Sequence, residues 1–176
     1  MYERSFVTIL SDRLRESRRF IQVVIGPRQT GKSTGVSQAL GKLSAPVVEY
    51  AFDRPRDRRS AKLEEIWGQA REMLGSSPEV ILSLDEIQKV PDWSSTVKFL
   101  WDEDTRRGNN IKVVATGSSA LTLRGGMAES LKGRFEEIAS TQWTLAECRD
   151  AFGYSLDDFL FFGGYPGAAA LVRIHA

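Results

Sequence analysis

The chain has 176 residues, enough for one domain with a sizeable core. Its 41% hydrophobic and 27% charged content is that of a soluble globular protein, and a formal net charge of +1 argues neither for nor against a polyanionic partner. The lone cysteine, Cys148, excludes an internal disulfide, no apolar run approaches the roughly 20 residues of a membrane span, and the start of the chain has no signal-peptide pattern, so a cytoplasmic protein with no membrane partner is expected.

In chain order, Phe6, Ile9, Leu10 and Leu14 recur at helical spacing and predict a helix over residues 3–19. Its second half, residues 13–19, is basic, which fits a solvated face or a nucleic-acid patch. The run Phe20-Ile21-Gln22-Val23-Val24-Ile25 predicts a buried strand, and residues 34–43 the helix that follows, ended by Gly41. Between them stands Gly26-Pro27-Arg28-Gln29-Thr30-Gly31-Lys32-Ser33, which fits G-x-x-x-x-G-K-[ST], the phosphate-cradling P-loop. Backbone N–H groups of such a loop turn inward at a helix N-terminus and form an anion-binding concavity. The candidate phosphate-binding set is therefore Gly26, Pro27, Arg28, Gln29, Thr30, Gly31, Lys32, Ser33 and Thr34. Gly26 and Gly31 supply backbone that a Cβ would resist, Lys32 reaches the β/γ-phosphates, and the Ser33 hydroxyl can ligate Mg²⁺.

Val47-Val48-Glu49-Tyr50-Ala51 predicts a second strand, followed by an arginine-rich loop over residues 53–59. Residues 60–74 carry one apolar stripe, Leu63, Ile66, Trp67, Ala70, Met73 and Leu74. Val80-Ile81-Leu82-Ser83-Leu84 then runs straight into Asp85-Glu86, the form of a Walker B strand. Such a strand is expected beside the P-loop strand with both faces buried, with Asp85 in the Mg²⁺ shell and Glu86 next to the site. A helix opens after Pro91 with Asp92 as its N-cap. Residues 111–116 form a fourth strand that delivers Gly117-Ser118-Ser119 to the same edge, and residues 135–138 a fifth. Two short helices follow, over 144–152 and 155–162.

Strands alternating with helices predict an α/β protein with the three-layer P-loop NTPase fold, a doubly wound, mainly parallel sheet of about five strands. The expected divisions are an N-terminal helix over 1–19, a P-loop ATPase core over 20–140 and a helical extension over 141–176. In such sheets ligands bind at the carboxyl ends of the strands, where the P-loop, Asp85-Glu86 and Thr116-Gly117-Ser118 all fall. Glu86 directly after Asp85 suggests hydrolysis, because a carboxylate beside the metal ligand can orient and deprotonate a water. A polar side chain after the fourth strand, Ser118 by preference or Thr116, could hydrogen-bond that water or the γ-phosphate. No Asn-Lys-x-Asp guanine-reading motif is visible.

These stretches, together with Leu131-Lys132-Gly133-Arg134-Phe135 and Gly163-Gly164-Tyr165-Pro166, resemble the prokaryotic AAA-type ATPases related to the archaeal ATPase group. The resemblance covers essentially residues 20–167. It implies an ATP- and Mg²⁺-dependent ATPase domain with Lys32, Glu86, Ser118 and Arg134 as catalytic residues and Ser33 and Asp85 at the metal. Ser118 would lie near the sensor-1 position, and Arg134 would sense the γ-phosphate or act as an arginine finger. Members usually carry a second domain after Gly-Gly-Tyr-Pro, and the resemblance implies that this chain lacks it. Partners left open are a homo-oligomer, another protein, and nucleic acid through residues 13–19 or 54–59. A nucleotide-gated switch with little turnover is the rival reading; a small-molecule kinase is least favoured, since nothing marks a second substrate site.

Overall fold

The strand that precedes the P-loop motif, β1 (Ile21–Ile25), is buried along its whole length, and its side chains alternate between two cores. Ile21, Val23 and Ile25 join one core and Val24 the other. A strand buried on both faces reads as an unbroken apolar run, which is why the sequence marks it so plainly. The computed structural model describes residues 2–117 and 131–175, with side chains through residue 172. Around β1 the chain places α1 (Ser5–Arg15), α2 (Lys32–Leu40), β2 (Val47–Ala51), α3 (Ser60–Met73), β3 (Val80–Asp85), α4 (Trp93–Arg107), β4 (Ile111–Gly117) and β5 (Phe135–Ala139). Three further helices, α5 (Leu145–Phe152), α6 (Leu156–Phe162) and α7 (Ala169–His175), close the described chain.

Among the described residues the sheet has five strands in the order β2-β3-β4-β1-β5, and every pairing is parallel. It is thus all parallel, where the sequence predicts mainly parallel. The order also corrects one expectation: β3 does not lie beside β1, because β4 is inserted between them. Apolar runs identify buried strands but carry no information on which of them are neighbours. Helices cover both faces. Leu63, Ile66 and Trp67 of α3 and Leu100 and Trp101 of α4 fill one core, while Phe6, Leu10 and Leu14 of α1 with Val36 and Leu40 of α2 fill the other.

Several helix limits differ from the periodic reading, each for a local reason. α1 ends at Arg15 and not at residue 19, because the chain turns so that Arg18 can lie over the Trp101 ring at 3.5 Å. Its guanidinium donates to the carbonyls of Ile111 and Trp101 at 2.9 and 3.0 Å. α2 starts at Lys32, inside the P-loop motif, so the loop feeds directly into its first turn. Asp92 occupies the N-cap of α4, but its backbone is left-handed (φ 50°) and its side chain makes no capping bond.

One buried charge anchors α3 to α4. Asp104 is fully buried and accepts from Trp67 Nε1 at 2.6 Å, Arg71 Nε at 2.8 Å and Asn109 Nδ2 at 2.8 Å. Three donors satisfy a charge that would otherwise be costly to bury. Replacing Asp104 with leucine strands all of them, and removing one partner of a buried ion pair costs about 3–5 kcal/mol. Asp104→Leu is therefore expected to unfold at markedly lower urea concentration than wild type; a midpoint within error of wild type would show that the cluster contributes nothing.

Candidate functional site

The carboxyl ends of the parallel strands set the site. Register pairs Ile25 with Gly117 and Val24 with Thr116, while Leu84 pairs with Ala115, so β1, β4 and β3 end in one row. The loop from β1 into α2 rises from that row. Gly31 has φ 86°, a left-handed conformation open to glycine, and Gln29 adopts φ 61° as a non-glycine residue. Gly26 is required for a different reason: a Cβ there would meet the Ser140 carbonyl oxygen at 1.8 Å. Its neighbour strand comes too close for any side chain, and the Ser140 N–H donates to the Ile25 carbonyl at 2.7 Å.

Lys32 is only 7% exposed and folds back over the loop, donating from Nζ to the Gly26 carbonyl at 2.9 Å and to that of Pro27. Burial pulls its pKa below the ordinary lysine value, with Glu86 and Asp85 partly offsetting the effect. The Thr30 hydroxyl donates to the same Pro27 carbonyl at 3.0 Å and keeps the loop closed on its inner side.

The acidic side of the site is built by β3 and reached across β4. Ser33 Oγ donates to Asp85 Oδ2 at 2.9 Å, and Thr116 Oγ1 donates to Asp85 Oδ1. The inserted strand β4 is what brings Thr116 to that carboxylate. A small hard cation such as Mg²⁺ takes one or two protein oxygens and completes its shell with water and phosphate oxygens. Ser33 and Asp85, already 2.9 Å apart, are a donor set of that kind.

Glu86 follows with φ 54°, a strained conformation for a residue with a Cβ. Its Oε2 accepts from Gln88 Nε2 at 2.8 Å and pairs with Lys89 Nζ at 3.3 Å. Lys89 also pairs with Asp53 Oδ1 at 2.8 Å, a contact that raises the lysine pKa and lowers that of Asp53. Two of the three left-handed non-glycine residues among the described chain, Gln29 and Glu86, thus sit on one cleft.

That cleft, about 390 Å³, is bounded by Arg28, Gln29, Lys32 and Ser33 on the P-loop side and by Asp53, Asp85, Glu86 and Lys89 opposite. A second cavity of about 400 Å³ lies on the other side of Gly31 and Thr34, which wall both spaces. Its lining is largely apolar and aromatic, with Tyr2, Trp143 and Phe152, and Gln38 at its edge. Trp143 stacks on Phe152 at 5.0 Å between ring centroids and tilts over Tyr2 at 5.4 Å. A polar, cation-bearing cleft joined to an aromatic cavity has the composition needed for a polyphosphate attached to a planar base.

The structure therefore brings together Gly26 through Thr34, Asp85, Glu86 and Thr116. Ser118 lies outside the described residues. Arg134 is not brought to the site. It precedes β5 at the opposite edge of the sheet, where its carbonyl accepts from the Ile21 N–H at 2.8 Å. A strand's length, roughly 15 Å, separates that edge from the P-loop. Its guanidinium grips Asp102 of α4 with bonds of 2.7 and 3.0 Å, so the expected γ-phosphate contact within the same chain is corrected by register. The basic stretch over 13–19 is partly neutralised within the fold, with Arg13 on Glu16 and Glu136 and Arg15 on Asp12. Sequence reasoning gave no role to Asp53, Gln88 or Lys89, although the last two follow closely on the Asp85-Glu86 pair that it did mark. It also missed Tyr2, Arg4 and Trp143, which carry no motif.

Among the described residues no helix is long and apolar enough to cross a membrane. Over 126 residues the chain is 32% identical to an uncharacterized protein of Haemophilus influenzae, a match spanning 68% of this chain and 30% of that protein. The chain thus spans less than a third of the length of that relative. The profile described as AAA domain matches residues 18–148, a stretch that contains the P-loop, Asp85-Glu86 and all five strands. The chain belongs to the AAA domain family, whose members are nucleotide-binding domains of the ATPase type.

Proposed function

We propose that this chain binds ATP with Mg²⁺ and hydrolyses it by in-line attack of water on the γ-phosphate. The observation that carries the reading is the Ser33–Asp85 hydrogen bond of 2.9 Å at the mouth of the P-loop, with Glu86 next in sequence on the wall of the same cleft. Inward N–H groups of the loop and the Lys32 ammonium would hold the β- and γ-phosphates, and the aromatic cavity beside Trp143 would take the base. Ser33 and Asp85 would hold Mg²⁺, which neutralises charge on the phosphate oxygens when bound. Glu86 would accept a proton from the attacking water. Thr116, which touches Asp85 directly, would report whether the γ-phosphate is present; Ser118 stays a proposed partner in that role.

The test is ATP turnover, with Mg²⁺, as a function of protein concentration. Turnover that requires the metal supports the reading; tight ATP binding with no turnover at any concentration would replace it with a nucleotide-gated switch. Arg134 enters the same experiment. Its pairing with Asp102, at 32% exposure on both sides, is worth about 1 kcal/mol or less. Arg134→Ala is expected to lose no more stability than that and to match wild-type turnover in dilute protein. A rate loss confined to high concentration would assign it to a neighbouring subunit's site, and a loss in dilute protein would return it to its own.

A further inference from the structure

We propose that Arg4 is a positioning residue of the P-loop: it holds the Thr30 carbonyl so that the Gly31 N–H, at the other end of the same peptide, is aimed into the cleft. The inference rests on the nucleotide-binding reading above and names a residue outside every motif. Arg4 stands just before α1 and is 5% exposed. Its Nη1 donates to the Thr30 carbonyl at 3.2 Å, to Ser140 Oγ at 3.2 Å and to the Thr141 carbonyl at 2.9 Å. Nε and Nη2 hold the Glu147 carboxylate at 2.9 and 3.2 Å, and Nη2 also reaches the Gln142 carbonyl at 3.4 Å. A second donor, Trp143 Nε1, meets the same Thr30 carbonyl at 3.0 Å.

Peptide planarity turns this grip into an orientation. In a trans peptide the C=O and the following N–H point in opposite directions within one plane. No cis peptide occurs among the described residues, so two donors fixed on the Thr30 oxygen fix the Gly31 N–H on the far side. That N–H belongs to the residue that walls both cavities. Gly31 has no side chain with which to restrain itself, and its left-handed φ leaves the orientation of the peptide to its surroundings. Donors on the carbonyl also polarise the peptide and strengthen its N–H as a donor.

The choice of residue fits the task. Burying a guanidinium and a carboxylate together is seldom the most stable solution for a core, since apolar replacements often match it. What arginine adds is a rigid planar fork that serves several acceptors in fixed directions, which the single ammonium of lysine does not. Here the fork joins the P-loop, the segment after β5, and α5. Glu147 is the third residue of α5 and completes a capping box with Thr144. The aim of the Gly31 N–H therefore depends on α5 being seated.

The experiment uses the full chain, with inorganic pyrophosphate and ADP as probes. Affinity is measured by calorimetry for wild type, Arg4→Lys and Trp143→Phe, alongside the thermal midpoint and the Gly31 amide resonance of ¹⁵N-labelled protein. Pyrophosphate has no base, so it isolates the loop from the aromatic cavity. Arg4→Lys is expected to bind it on the order of tenfold more weakly and Trp143→Phe about threefold to fivefold, as loss of one hydrogen bond predicts. Both should still unfold cooperatively, with the Gly31 amide displaced in each. A purely structural role would lower the midpoint and leave both the folded protein's pyrophosphate affinity and that resonance at wild-type values; this outcome overturns the proposal. Should Arg4→Lys not fold, Trp143→Phe, which keeps an aromatic ring in the stack, tests whether a donor on the Thr30 carbonyl orients the Gly31 N–H, and wild-type affinity with an unmoved resonance there overturns the proposal. A wild type that binds neither probe would strike down the nucleotide-binding reading itself, whereas a binding wild type with indifferent variants strikes only the positioning role.

Discussion

Lys32→Ala is expected to weaken ATP binding by about two orders of magnitude or more while leaving a folded protein. A hydrogen bond to a charged group is worth about 1.5–3 kcal/mol, and Lys32 is placed to offer more than one to a bound polyphosphate. Two such bonds convert to a factor on the order of 10² to 10⁴ in the dissociation constant. Lys32 rests on the carbonyls of Gly26 and Pro27, contacts a phosphate oxygen would replace with charge-assisted ones. The fold should survive because burial lowers the pKa of Lys32, so its charged form is disfavoured in the folded chain relative to the unfolded one. That cost is present at neutral pH and is relieved only as pH rises through the folded-state pKa, below the ordinary lysine value. Alanine removes it. Calorimetry and a thermal scan check both halves: ATP affinity within a few-fold of wild type would show that the ammonium is not a phosphate ligand.

Glu86→Gln is expected to separate binding from turnover. Affinity for ATP should stay near wild type, because the glutamine amide fills the same volume and retains an acceptor for Gln88. Turnover should fall by a factor on the order of 10² or more, the range general-base assistance supplies. Steady-state phosphate release at saturating ATP, compared with equilibrium binding, reads the two quantities independently. Normal hydrolysis by the variant would remove the base assignment. The surroundings of Glu86 sharpen the test, because Gln88 and Lys89 both engage Oε2 while Asp53 draws Lys89 away from it. The carboxylate is held in place by Gln88 and Lys89, the latter tied in turn to Asp53, and is not an idle surface acid.

What the sequence could announce was whatever repeats locally. Buried parallel strands announce themselves as apolar runs, as β1, β3 and β4 do; the half-exposed edge strands β2 and β5 are shorter, mixed runs, and the ends of all five described strands fall within a residue of the reading. The P-loop and the Asp85-Glu86 pair were legible because phosphate and metal chemistry demand specific residue types at fixed spacing. The order of the strands was not, since insertion of β4 between β1 and β3 is a property of crossovers and not of any run. Arg134 is a different case: a residue just before a strand of a parallel sheet sits at the amino edge, so its resemblance to a phosphate-sensing arginine conflicted with its place in the chain, and the pairing of Phe135 with Ile21 puts it at that edge. Arg4 was invisible for a third reason. Its partner Glu147 is 143 positions away, and one arginine in a charged segment shows no pattern.

The indole of Trp143, resting on the Thr30 carbonyl, has one more consequence. Of the chain's four tryptophans, Trp67, Trp93 and Trp101 are buried in the large core beneath α3 and α4. The fourth donates its indole N–H to a P-loop carbonyl. The intrinsic ultraviolet emission of the unlabelled chain therefore contains one component that originates at the loop, set against three that report on the core.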